Sequence, residues 1–255
     1  MFWESLALKF RNVPQNAESV LEPFSREMVQ KLGEDLLCVA VYGSAASGDY
    51  IYGRSNINML LVLKEVSVSQ LKQIAVPVEK WMVRGFASPL IVTPKDLERS
   101  LDAFPLLFTE IRDNHRVLHG EDLLKGLKIA PGDLRVQVEQ FLRGKLTEAR
   151  SEFLASGESL KTFEDMISKS FNSVVPLLRA LLSLSGETPS IRKDVIVAYA
   201  EEKFKLEGGV LTDALRHKMG LFRLSDKHNL LAYFERYMVA IARLAEIADT
   251  LEVKK

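Results

Sequence analysis

Two hydrophobic rhythms divide the chain. In residues 14–32, PQNAESVLEPFSREMVQKL, apolar positions recur at helical spacing, and Gly33 is placed to end the helix. LLCVAVYGS and INMLLVL are unbroken apolar runs, the pattern of strands buried on both faces. Residues 67–84 predict a helix capped by Ser67 or Ser69, with Pro77 as a kink inside it and Gly85 at its end. ASPLIVT then predicts a third strand. Pro94 and Pro105 open two further helices, and RVLHG reads as a short edge strand.

After APGD, residues 130–133, no β-branched run bounded by turns follows, and amphipathic helices take over. Leu134, Val138, Phe141, Leu142, Leu146, Ala149 and Phe153 form one apolar stripe. A second helix is expected over about 159–184 with Pro176 inside it, and a third capped by Ser190. A short one follows at about 210–218, and Ser225 or Asp226 is placed to cap a last helix reaching Leu251. The expected organisation is α+β: an α/β domain over 1–129, then an all-α helical bundle over 130–255.

Composition narrows the classes without naming one. The 255 residues are 47% apolar and 27% charged, as in ordinary globular proteins, and the length suits two domains. Thirty-four basic and thirty-four acidic side chains cancel, so no overall field draws the chain to nucleic acid or an anionic membrane. One cysteine, Cys38 in an apolar run, implies a buried reduced thiol. The start has no signal-peptide pattern, and no stretch approaches eighteen consecutive apolar residues. A cytoplasmic protein with no membrane span is expected.

The chemistry concentrates at YGSAASGDYIYGRSNINMLLVL, residues 42–63. Gly43 and Ser44 directly after a buried strand, with Gly48 after three small residues, let backbone N–H groups approach an anion, and the Ser44 hydroxyl adds a donor. Taken alone, the same glycines also serve a tight strand-to-helix turn. The continuation adds weight: Ser55 follows, then a strand pattern on which residues 56 and 58 share one face. On Gly43, Ser44, Gly48, Ser55, Asn56, Asn58 and the apolar tail Leu60 to Leu63, the sequence resembles the DNA polymerase beta-like nucleotidyltransferase superfamily over about residues 14–128. The helical second half is similar to the bundles that follow this domain in kanamycin-type nucleotidyltransferases and in relatives of the minimal nucleotidyltransferase and HEPN families.

That resemblance implies a small mixed sheet and transfer of a nucleotidyl group from an NTP. It also implies two Mg2+ ions held by two motif aspartates and a third carboxylate on the next strand. In this chain the aspartate positions read Asn56 and Asn58. On ASPLIVT the third position falls at Pro89 or Ser88, and nothing acidic occurs between Arg84 and Lys95. An amide oxygen lacks the charge that magnesium favours, so no metal ligand is assigned, and Mg2+ with NTP is expected only if the family activity survives. Gly43, Ser44, Gly48, Arg54 and Ser55 remain as nucleotide-binding candidates. Asp49 and Glu79, the nearby acids, read as solvated carboxylates.

The favoured expectation is a non-catalytic member of this superfamily that binds a nucleotide, a small molecule or a protein partner. The alternative is an active enzyme moving a nucleoside monophosphate to a hydroxyl of a small molecule or protein. A second alternative is a HEPN-like ribonuclease, suggested by Arg223 and His228 at R-x4-H separation. His115 and His119 suit zinc ligation only if helical, whereas their setting reads as strand. FPLLFTE, residues 104–110, reads as packing between the two domains. The wide apolar arc of the last helix reads as bundle core, with a homodimer seam second.

Overall fold

A computed structural model of the chain describes residues 15–53, 55–156, 173–190, 192–218, 221 and 227–253. The chain divides into two compact units. One holds the described residues up to Ala103 together with Leu107–Lys128; the other holds Phe104–Leu106 and the described residues from Ile129 onward. The fold is α+β: a mixed sheet in the first unit, helices in the second. Among the described residues, no helix is long and apolar enough to cross a membrane.

In the first unit the strands are β1 (Leu36–Tyr42), β2 (Asn58–Leu63), β3 (Leu90–Val92) and β4 (His115–Gly120), in spatial order β3-β2-β1-β4. β1 runs antiparallel to β2 and β4, whereas β2 and β3 are parallel. The apolar runs demand central places, and β1 and β2 occupy them with nearly every residue buried. On one sheet face Val39, Val41, Met59, Leu61 and Leu63 pack with α1 (Glu18–Leu32) and α3 (Val68–Met82).

α1 supplies Leu21, Phe24, Met28 and Leu32, the i, i+3, i+7 and i+11 rows of one helical face. Phe24 stacks on Phe86 at 5.0 Å, and Trp81 of α3 meets Phe24 edge-on at 5.9 Å. Full burial of each such side chain stabilises the fold by about 1.5–3 kcal/mol. Gly33 ends α1 at φ +54, its N–H donating to Val29 O. Of the two cap candidates Ser67 is the one used: it forms a reciprocal capping box with Gln70, whose amide also donates to Asp35 at 3.1 Å. Pro77 lies within α3 and is buried.

Three further helices connect the strands of this part of the chain. α2 (Ser44–Ser47) follows β1, α4 (Pro94–Arg99) is capped by Thr93, and α5 (Pro105–Asp113) leads into β4. α6 (Pro131–Ser156) begins the helices of the second unit. Its stripe buries Leu134, Val138, Leu142 and Ala149 and half-buries Leu146 and Phe153. Phe141 departs from the expected stripe, being 46% exposed: the partner helix covers a narrower arc than the sequence stripe spans.

Helix α7 covers 173–184 among the described residues; the expected earlier part of that helix, from 159, lies outside them. α8 (Lys193–Lys203), α9 (Val210–Lys218) and α10 (Lys227–Thr250) follow. Ser190 is not the cap of α8. It accepts the Arg192 N–H, and Arg192 takes the cap position. Ser225 and Asp226 lie outside the described residues. α10 places Leu230, Tyr233, Phe234, Tyr237, Ile241, Leu244 and Ala248 in the core of this unit, and Phe234 stacks on Phe153 at 5.2 Å. Arg135 of α6 donates to the carbonyls of Ala248 and Asp249, satisfying the C-terminal end of α10 with a cation.

Candidate functional site

The Gly43 loop is built where β1 stops. Gly43 adopts φ +70 and ψ −144, open in practice only to glycine, and its N–H donates to the Asn114 carbonyl at 3.0 Å. Its own carbonyl accepts from Ala46 and Ser47, starting α2, and Gly48 closes that turn in the left-handed region at φ +83. Ser44 is thus fixed as the first residue of α2, half-buried. Asn114, 7% exposed at the end of α5, was not singled out from the sequence. Its part in the loop comes from a backbone carbonyl, which side-chain identity does not reveal.

β2 brings Asn58 to this loop. Register pairs Tyr42 with both Asn58 and His115, so these three side chains share one sheet face, opposite the face covered by α1 and α3. The Asn58 Nδ2 lies 3.3 Å from where a β-carbon would stand on Gly43, so the amide rests directly against the loop glycine. Asn58 is half-buried. Asn56 lies ahead of β2, one residue before the Ile57 bridge to Phe86, and is exposed, with buried Ile57 between it and Asn58. Burial pushes the Tyr42 hydroxyl up to about 12, so this neighbour is a neutral phenol at physiological pH.

The third expected position shifts. β2 meets the following segment as Ile57 with Phe86 and as Leu60 with Leu90, so three residues on one side face four on the other. This extra residue places Ala87, whose N–H donates to Ile57 O at 3.0 Å, level with Asn58. Pro89 is buried a little further on and Ser88 is exposed, so Pro89 is not beside Asn58 as the sequence suggested. All three residues are uncharged.

Ser55 braces its own loop: its Oγ accepts the Ile51 N–H at 3.0 Å, and its N–H donates to Ile51 O at 2.8 Å. Arg54 lies outside the described residues. Glu79 is exposed. Asp49, expected to be solvated, is instead half-buried just after Gly48, with its Oδ2 enclosed and without a hydrogen-bond partner. Asp49 follows directly on the left-handed turn at Gly48, where the chain leaves α2, so it is a turn residue and not one on an exposed helix face.

The histidine pair lies on β4. His115 donates from Nδ1 to Ile111 O at 2.8 Å, and its Nε2 is 3.0 Å from Asp122 Oδ1. Among the described residues, no group of three or more His, Cys, Asp or Glu is placed to hold a metal ion. Arg223 and the His228 side chain lie outside the described residues.

No family model matches the sequence, and no curated protein matches it. Among solved structures the chain is similar to spectinomycin adenyltransferase AAD(9) from Enterococcus faecialis, determined with ATP and spectinomycin. The TM-score is 0.55 at 11% identity, over 92% of this chain and 100% of that one. It is also similar to a nucleotidyltransferase-like protein from Exiguobacterium sibiricum 255-15, at TM-score 0.35 and 11% identity, covering 88% of this chain and 74% of that one. By the first of these likenesses the fold is nucleotidyltransferase-like.

Proposed function

We propose that this chain is a non-catalytic member of the nucleotidyltransferase superfamily that binds a nucleotide at the Gly43–Gly48 loop. One observation carries the reading: the loop has its two positive-φ glycines while the side chain that rests against Gly43, Asn58, is an amide and not a carboxylate. Two divalent cations in such a fold neutralise a triphosphate and stabilise both the attacking and the leaving oxygen. Amide oxygens and an alanine form too weak a donor set for that task, and the residues present do not fit the metal pair. Losing several kcal/mol of transition-state stabilisation at each ligand would lower the rate by many powers of ten.

The test is direct. Purified protein is incubated with labelled NTPs, Mg2+ or Mn2+, and a panel of hydroxyl acceptors including aminocyclitol antibiotics. No transfer above background, with nucleotide binding retained in a separate titration, is expected; metal-dependent transfer at ordinary turnover refutes the reading.

A second reading has its own support. The similarity to spectinomycin adenyltransferase extends along nearly the whole of both chains, helical part included. This favours an enzyme that moves a nucleoside monophosphate to a small-molecule hydroxyl with altered metal ligation, and Asp49 is the acid it would require. The same assay distinguishes the two, since Asp49→Asn would then abolish transfer.

A further inference from the structure

We infer that the Gly43 loop engages a polyphosphate directly, with no divalent cation between, and that the Asn58 amide makes this possible. The inference rests on the nucleotide-binding reading and deepens it.

Carboxylates at positions 56 and 58 would place two negative charges beside the loop, and an anionic ligand could then approach only with cations interposed. Here the same positions are neutral. Asn58 also contributes a donor that a carboxylate cannot: it is Nδ2 that faces Gly43. The cross-strand neighbour Tyr42 adds no charge, since burial keeps its phenol protonated. On the adjoining segment Ala87 and Ser88 are uncharged. Substituting amides for carboxylates therefore does more than remove metal ligands: it changes the ligand preference from metal-bound to free phosphate. Asp49 is the one acid next to the loop among the described residues between Gly43 and Ser55, and its enclosed Oδ2 makes it the competing candidate for a cation.

The experiment is calorimetric titration of ATP and of inorganic triphosphate into the full chain, in EDTA and in excess Mg2+. Wild type is expected to bind both probes in EDTA, with affinity within about threefold of that in Mg2+. Asn58→Asp preserves side-chain shape and replaces the donor by a charge. It is expected to weaken EDTA binding at least about tenfold, with Mg2+ restoring part of the loss. A thermal melt of each variant separates this from unfolding. Wild-type binding that appears only with Mg2+ overturns the inference and leaves nucleotide binding standing; if Asp49→Asn then abolishes it, Asp49 is the cation ligand. Binding in neither condition overturns both readings.

Discussion

The Asn58 side-chain nitrogen lies 3.3 Å from the position of a β-carbon on Gly43, and the Gly43 backbone at φ +70 and ψ −144 admits almost no other residue. Gly43→Ala is therefore expected to destabilise the first unit by about 1–3 kcal/mol through backbone strain. Asn58 can give way by rotation, so Asn58→Ala in the same chain should recover only a small part. Urea midpoints of the two single variants and the double variant check this.

Gly120 is under a harder constraint than Gly43. A β-carbon there would lie 1.9 Å from the Leu37 carbonyl oxygen and 3.2 Å from the Cys38 Cα, backbone atoms of the central strand that cannot move aside. Gly120→Ala is expected to cost more than about 4 kcal/mol, enough to lose soluble expression or the cooperative unfolding transition. Expression level and circular dichroism would show it.

Asp122 links stability to acid. Burial raises its carboxyl, but the Leu124 and Lys125 amides and His115 outweigh that and leave it below the usual carboxylate value. A group depressed in the folded state adds stability above its unfolded value and loses it as pH falls through the folded one. The contribution is thus present at neutral pH and lost from about pH 4 downward. Asp122→Asn is expected to lower neutral-pH stability and to flatten the acid limb, read from denaturant midpoints across that range.

Cys38 is fully enclosed in β1, and its thiol is pushed up to about 11 by burial and then by the Asp122 charge. A thiol-specific reagent at pH 8 should label no cysteine in the native protein and one in denaturant. Labelling in the folded state would show that β1 opens to solvent.

Glu201 of α8 caps a helix other than its own. Its Oε1 accepts the Leu211 and Thr212 amides at the start of α9, and its Oε2 accepts the Thr212 hydroxyl. Removing this carboxylate should cost about 1–2 kcal/mol, with Glu201→Gln milder than Glu201→Ala because the amide keeps one acceptor. Thermal unfolding of the two variants gives the order.

Much of the architecture is written in local patterns. The uninterrupted run LLCVAVY admits little but a central strand, and Ser67 was legible as one of two cap candidates, whereas the Thr93 cap beside Pro94 came from the structure. Phe141 shows the limit: helical periodicity places it in the stripe, but the area available on the neighbouring helices decides whether it is covered. Pro89 shows another, since the extra residue between Phe86 and Leu90 arises from strand pairing and leaves no mark in composition.

The sequence by itself determined the change from sheet to helices near residue 130, the loop glycines, and the neutrality of positions 56 and 58, because periodicity and residue chemistry are local properties. Only the tertiary structure decided that Asn58 turns its Nδ2 to Gly43, that Ala87 stands level with it, that the Asn114 carbonyl anchors the loop, and that Asp49 is enclosed. Those relationships depend on register and on contacts between segments about seventy residues apart, such as Gly43 with Asn114, where the chain must first close on itself before any side chain meets its neighbour.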